Sequence, residues 1–534
     1  MITMMNMRDI ETGDTSKYRL IGNSVLGYRF SVPHDEMIHV GDILKITDGS
    51  KKLVFFAKIS DLLHDSNYSD PRWDTRPHSA RFYGLGDDVF LTAEASPLGY
   101  VDINDGGRRF RKANTIPTKF SRVEHPSDDD FSFLTDVMGE IEVGVMKTGH
   151  GPLGNVKVGL HSNVLPQHMG VFATTGMGKS NYMKVFCASC MKEQKFGVLM
   201  VDPHGEYLAG GRSPDGSMTR GLFHCSSSSS ALSVYTIRSE KERKIYRANR
   251  LYLDYDDFRS PDLLLLYDHS QAQKELVEML EDSYGSDVIG FFMDTDFNEF
   301  DPDTYNGEFT GIARRVKNFS LPTLSVMQRR VRGLISGNRS FLRERGSSLK
   351  DIIKDLHANK VVLIDIKGMG ERSELLVLSV LTRKILKVHQ GEEGEEPVDE
   401  QVLITIDEAQ RVLGTGTGST RTFRECAMEG RKFGVGLCVI TQQPRNIDSR
   451  ILAQINTFVI MGLSDRNDRA TVEGSAKQDL SRMDTEIQTL EVGEAVISTL
   501  GIPFPVSTLI HRFEDYMQEG TPSESHGEQA RLRF

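Results

Sequence analysis

Residues 173–180 read Ala173-Thr-Thr-Gly-Met-Gly-Lys-Ser180. They follow a short apolar run, Met169 to Phe172, and lead into a helix-like segment from Asn181. Strand, glycine-rich turn and helix in that order read as a nucleotide-binding P-loop. Gly176 and Gly178 permit backbone angles that strain other residues, so successive N–H groups can point at one phosphate chain. Lys179 supplies a point charge for the β- and γ-phosphates, and the Ser180 hydroxyl suits Mg²⁺. The helix beginning there adds the positive end of its dipole. Nucleotide contacts are therefore expected from Thr175, Gly176, Met177, Gly178, Lys179, Ser180 and Asn181. The usual pattern opens with Gly; here Ala173 stands in that place, and the Gly-Met-Gly-Lys-Ser portion is intact.

A second motif follows by roughly 230 residues: Val402-Leu-Ile-Thr-Ile-Asp-Glu-Ala-Gln410. A β-branched strand ends there in two adjacent carboxylates. After a P-loop, the first (Asp407) is expected to hold Mg²⁺ through water, and the second (Glu408) to orient and deprotonate the attacking water. Between the two motifs a strand over Phe196–Val201 ends in Asp202-Pro-His-Gly-Glu-Tyr207. Charged residues at the C-terminal edge of a parallel strand lie where ligands bind, or make a plain polar turn. Beyond them the strand Gly436–Ile440 leads into Thr441-Gln-Gln-Pro444, where Gln442 suits a γ-phosphate sensor.

The whole chain narrows the class. Its 534 residues allow about three domains, and 38% hydrophobic with 26% charged residues describe a globular protein. No run of about 18 apolar residues exists, so no membrane span is expected. Residues 1–20 carry no signal-peptide core, which makes the cytoplasm the expected location. The net charge of −11 argues that any nucleic acid is met in a confined basic site, not over a whole face. Five cysteines are too few for a disulfide framework. Cys187 and Cys190, with His224 and Cys225 as the available complement, read as core packing, with metal or redox chemistry as the alternative. The 21 methionines and five cysteines lean away from a hyperthermophilic source.

Residues 1–125 are expected to form a small β-barrel after a disordered start. Its strands are Arg19–Gly22, Tyr28–Val32, Asp42–Ile46 and Leu53–Ile59, with more at Val89–Ala93, Leu98–Ile103 and Arg108–Lys112. Asn67–Ala80, which holds Trp73, reads as a long loop, and Glu124–Asp130 as a linker. The nucleotide-binding core occupies 126–207 and resumes over 360–512, with a helix at Ser373–Val388. Residues 208–359 between them read as a helical insertion with helices at Ser270–Tyr284 and Leu324–Gly333. Residues 513–534 form a C-terminal extension. Within the insertion, Ala313–Arg345 carries nine Lys/Arg against one acidic residue, a stripe that contacts phosphate or is simply solvated.

This ordered set of motifs resembles the HerA family of hexameric ATPases, relatives of the FtsK translocases. The matching pieces are Ala173–Ser180, Asp202–Tyr207, Ile406–Gln410, Glu429-Gly-Arg-Lys-Phe-Gly434 and Thr441–Pro444, and Ile21–Leu62 is similar to the HAS-barrel that precedes the family's core. Departures are Ala173, and Gln410 where His is frequent. The resemblance implies an α/β fold: a RecA-like P-loop ATPase core with an N-terminal small β-barrel and a helical insertion. It implies a homohexamer with ATP and Mg²⁺ between neighbours. Lys179, Ser180, Asp407 and Glu408 would serve one face, and an arginine of the adjacent subunit would complete the site. Arg431 matches the family's arginine motif; Arg421, Arg424 and Arg450 are rivals. Double-stranded DNA would pass through the central pore, and a NurA-like nuclease or another effector would act beside the ring, in DNA end processing or anti-phage defence. Loops 209–221 and 412–420 line that pore or are surface loops. The alternative is an ATPase ring acting mainly as scaffold and regulator of a bound effector. A secretion-type motor is a third reading, disfavoured by the missing membrane segment.

Overall fold

A computed structural model describes residues 18–66, 89–105, 109–119, 121–211, 216, 218–225, 227–391, 398–414 and 421–517. The expected disordered start up to residue 17, Trp73, the 67–80 loop, parts of the 209–221, 391–400 and 412–420 loops, and residues 518–534 of the C-terminal extension lie outside them. The strands, in chain order, are β1 (Arg19–Ser24), β2 (Gly27–Pro33), β3 (Ile43–Asp48), β4 (Leu53–Ser66), β5 (Val89–Asp102), β6 (Phe110–Arg111), β7 (Arg122–Glu124), β8 (Ile141–Thr148) and β9 (Gly151–Leu160). They continue with β10 (Met169–Ala173), β11 (Gly197–Asp202), β12 (Leu232–Thr236), β13 (Asn249–Arg250), β14 (Leu253–Asp254), β15 (Leu342–Arg343) and β16 (Val361–Asp365). The last are β17 (Val402–Ile406), β18 (Val435–Thr441), β19 (Thr457–Met461), β20 (Glu494–Thr499) and β21 (Val506–Ile510).

The chain divides into two compact units. One comprises residues up to His161 together with Val459–Ile510; the other comprises Ser162–Phe458 and the residues from His511. In the first, an antiparallel sheet runs β1-β2-β5-β4-β3-β7, with β6 on β5. A bridge between Tyr18 and Val123 joins its two ends. Alternation sets its interior: Tyr28, Phe30 and Val32 of β2 point inward with Leu44, Ile46, Phe55, Ala93 and Ala95. The two strands expected at 89–93 and 98–103 are one strand. Pro97 pairs with Ala57 and Gly99 with Phe56, so Leu98 is an extra residue taken up as a bulge. The expected linker at 124–130 is anchored: β7 pairs with β3, and Lys45 reaches both Glu124 at 3.1 Å and Asp130 at 2.8 Å. Residues 141–160 and 494–510, which motif order alone assigns to the core, pair with one another as β20-β21-β8-β9 and group with the N-terminal strands.

The second unit is built on a parallel sheet, β13-β12-β16-β11-β17-β18-β10. Every residue of β10, β11, β16, β17 and β18 is buried. Such strands lie between helical layers and read as apolar runs without alternation. Around them pack the helices Lys179–Glu193, Leu349–His357 and Glu371–His389. The 208–359 stretch is not wholly helical. Its Leu232-Ser-Val-Tyr-Thr236 segment pairs in parallel with β16, and Leu349–His357 packs on β11 and β16. Helices at Gln271–Met279 and Leu321–Asn338 occupy the rest, with the short parallel pair β14–β15.

Phe30 is fully buried among the inward residues of the first unit. Phe30→Ala removes a ring whose cavity cannot collapse between paired strands, and is expected to cost about 3–5 kcal/mol. Urea unfolding of the purified variant, followed by tyrosine fluorescence, checks this.

Candidate active site

Strand order explains why distant residues meet. β18 lies between β17 and β10, with Ile406 beside Val439 and Phe172 beside Thr441. The C-terminal ends of all three strands therefore come out at one edge, carrying the P-loop, Asp407–Glu408 and Gln442. In the loop Gly176 has φ +86° and Gly178 +96°, and a Cβ at Gly176 would meet nothing within 4 Å. That open approach to the backbone fits a phosphate chain.

Lys179 donates to Asp407 Oδ1 at 3.0 Å and stands 3.8 Å from Glu408 Oε1. Glu408 is held from two sides: Gln442 Nε2 donates to Oε1 at 3.2 Å and Gln410 Nε2 to Oε2 at 2.6 Å. Thr441 Oγ1 in turn donates to Gln410 Oε1 at 2.6 Å. Thr175 Oγ1 donates to Gln442 Oε1 at 2.5 Å, which closes a chain from the P-loop to the carboxylates. The backbone of Glu408 sits at φ +49°, a conformation that costs a non-glycine residue about 1 kcal/mol or more. Its N–H donates to Asp407 Oδ1 at 2.9 Å.

Ser180 and Asn181, also expected at the nucleotide, each have a partner of their own. Ser180 Oγ donates to Glu206 Oε1 at 3.0 Å. Glu206 is placed by Asp202, whose buried carboxylate accepts the N–H groups of Gly205, Glu206, Tyr207 and Leu208 at 2.7–3.2 Å. Burial pushes the Asp202 carboxyl up to about 6; the N–H of Leu208 opposes this and the charge of Asp365 adds to it. Asn181 turns to another segment, donating to the His511 carbonyl at 2.8 Å and accepting the Phe513 N–H at 2.9 Å.

The central part of the sequence, residues 141–385, matches the family described as "Helicase HerA, central domain". The DNA double-strand break repair helicase HerA of Pyrococcus furiosus is 22% identical over 552 residues, covering 95% of this chain and 93% of that protein. The protein of the same name from Sulfurisphaera tokodaii is 25% identical over 71% of this chain and 72% of its own. Residues 141–385 are thus a HerA-type central domain. Among solved structures, the plasmid coupling protein TrwB in complex with ADP and Mg²⁺ superposes with a TM-score of 0.46 at 14% identity, over 66% of this chain and 88% of that one. VirB4 of Thermoanaerobacter pseudethanolicus gives 0.44 at 13%, over 71% and 98%.

Of the arginines read from the sequence of this HerA-type core, Arg450 is held by Asp448 at 2.7 Å, and Arg421 by Glu281 at 3.1 Å and Glu425 at 2.8 Å. Arg431 is exposed on the turn Gly430–Phe433, and no contact joins it to Lys179 or the carboxylates among the described residues. That turn is fixed from behind: a Cβ on Gly430 would lie 2.5 Å from the Val435 carbonyl, and Gly434 closes it at φ +73°. The five cysteines are all buried, with burial pushing their thiols upward, so Cys187 and Cys190 are packing residues. Several cations of the basic stretch are spent within the chain. Arg330 binds the Asp268 carbonyl at 2.6 Å and Gln273 at 3.0 Å, and Arg343 lies 3.3 Å over the Tyr252 ring. Gln410 and Glu206 were not singled out for the site by sequence, although both lie in quoted motifs.

His168, buried at the entry to β10 with φ +72°, accepts the Leu437 N–H on Nδ1 at 2.9 Å. Burial first, and then the nearby Arg431 charge, hold its imidazole down at about 4. The unfolded chain takes a proton at about 6.5, so the contribution of neutral His168 is complete above that pH and is lost as pH falls from 6.5 to 4. The loss is expected to reach about 3 kcal/mol. His168→Gln, which keeps an acceptor without the titration, is expected to flatten that part of the pH–stability curve in urea unfolding.

Proposed function

We propose that this chain is an ATP-driven motor of the HerA type that moves double-stranded DNA as a homohexamer, in cooperation with a nuclease or another effector protein. The observation that carries the reading is the linked set Lys179, Asp407, Glu408, Gln410 and Gln442 beside an open glycine-rich loop. The names of its relatives support DNA as the substrate. Ser180 and Asp407 suit Mg²⁺, which when bound would offset charge on the phosphates. Lys179 would then exchange its contact with Asp407 for the phosphate chain. Glu408, beside Lys179 and aimed by two amides, would accept a proton from the attacking water. Gln442, bonded to both Thr175 and Glu408, would report the γ-phosphate to the carboxylate.

Arg431 would act across a subunit boundary. Its exposure and the rigid turn that presents it favour this over Arg421 and Arg450, which are already paired. The N-terminal sheet, with ends bridged at Tyr18 and Val123, fits a HAS-barrel, and the helices within 208–359 fit an inserted module. A cytoplasmic setting suits a DNA motor, and among the described residues no helix is long and apolar enough to cross a membrane.

The test is ATP hydrolysis with and without linear duplex DNA. Wild-type turnover is expected to rise with DNA, and Glu408→Gln to bind ATP while turning over about 10²–10⁴-fold more slowly. Turnover that depends on Glu408 yet ignores DNA would favour the scaffold reading. Arg431→Ala is expected to bind nucleotide and slow hydrolysis about 10³-fold or more. Mixed with Glu408→Gln subunits it should recover part of the activity in a ratio-dependent way; no recovery at any ratio argues against action in trans.

A further inference from the structure

The first unit carries a cluster that ATP hydrolysis does not use. Asp42 lies in the turn ahead of β3, with its carboxylate almost wholly buried. Its Oδ2 accepts the His39 N–H at 2.7 Å. Its Oδ1 lies 2.7 Å from His150 Nδ1, and His39 Nδ1 stands 3.8 Å from Oδ2. One ligand atom from each of the three side chains lies within 4.8 Å of the other two, and among the described residues this is the one such group of three or more His, Cys, Asp or Glu side chains. His125 stacks edge-on against His150, with ring centroids 4.7 Å apart, and its Nε2 is 2.5 Å from the Tyr18 hydroxyl.

The backbone is built for this approach. His150 tips the hairpin between β8 and β9. Gly149 beside it has no room for a side chain: a Cβ there would lie 2.7 Å from Asp42 Oδ1 and 2.7 Å from His39 Cβ. The turn carrying Asp42 is tied to β4 by Ile59 N–H to the Asp42 carbonyl at 2.7 Å and Gly41 N–H to the Ile59 carbonyl at 2.9 Å. One ligand is thus fixed and buried, while the two imidazoles are half-exposed.

We propose that His39, Asp42 and His150 form a binding site for a divalent transition metal of the zinc class, which fastens the turn before β3 to the β8–β9 hairpin. Two imidazoles with one carboxylate suit Zn²⁺, Co²⁺ or Ni²⁺; Mg²⁺ and Ca²⁺ prefer all-oxygen sets. Ligands at about 2.1 Å from a tetrahedral centre stand about 3.4 Å apart; His150 Nδ1 and His39 Nδ1 stand 2.7 and 3.8 Å from the Asp42 oxygens. The metal would replace a hydrogen-bonded proton between Asp42 and His150. The fourth position stays open to water or to His125, whose bond to Tyr18 orients its ring.

The test uses the full chain, freed of metal with chelator and kept without nucleotide in excess Mg²⁺. Titration with Co²⁺ is expected to give visible absorption bands that saturate at one ion per chain, and Zn²⁺ to displace them and raise the thermal midpoint. His39→Gln and His150→Gln change half-exposed rings, so both should keep the wild-type circular dichroism while weakening Co²⁺ binding by at least about 100-fold. Asp407→Asn should leave the bands unchanged. The proposal is overturned if no stoichiometric Co²⁺ or Zn²⁺ binding occurs, if both glutamine variants bind as wild type, or if binding is lost with Asp407→Asn instead.

Discussion

Glu408 carries a negative charge on a backbone in the left-handed region, next to a lysine and a second carboxylate. A local compensation is its N–H, which donates to Asp407 Oδ1 at 2.9 Å. A solvated glutamate would relax its backbone and move away from Asp407. It stays because Gln410 and Gln442 each donate to one of its oxygens, and because β17 is locked in register between β11 and β18. The functional geometry is therefore the end-point of a buried parallel sheet. If the register slipped by one residue, every side chain would change face, and Asp407, Gln442 and the P-loop would no longer share an edge.

This also explains what was legible beforehand. The P-loop and the Ile406–Gln410 motif could be read because their chemistry is local: glycines for the turn, a lysine and hydroxyl at the helix start, carboxylates after an apolar run. The buried strands could be read because five or six consecutive apolar residues have few other homes. Pairings were not legible. Leu232–Thr236 is short and flanked by serines, and only the free edge of β16 makes it a strand. The partnership of 141–160 with 494–510 joins segments more than 300 residues apart, which no local pattern announces. The roles of Glu206 and Gln410 were hidden similarly: each acts on a residue, Ser180 or Glu408, whose direction only the fold sets.

The turn that presents Arg431 shows how the same core reaches outward. Gly430 lies against the Val435 carbonyl and His389 contacts the Phe433 carbonyl at 2.9 Å, so both ends of the turn are fixed to buried structure. An exposed guanidinium on a rigid base loses less freedom when it meets a phosphate than one on a loose loop. Its charge is felt inward as well, since it helps keep His168 neutral beneath the P-loop strand. The residue expected to act between subunits is thus electrically coupled to the core of its own.

The charge distribution constrains how such a protein could hold DNA. With a net charge of −11, a duplex is repelled at long range, and attraction must come from a local surplus of cations. Residues 313–345 supply one, yet not all of it is available: Arg330 is tied to backbone and to Gln273, and Arg343 covers Tyr252. The exposed remainder includes Arg314, Lys317, Arg329, Arg339 and Arg345. Each phosphate neutralised releases about one counterion, so a single chain with these few groups would bind weakly and with a modest salt dependence. Repetition around a ring multiplies the same small set without making any one chain basic. On the proposed reading, an acidic subunit and a DNA track are compatible because the assembly, not the monomer, presents the basic surface.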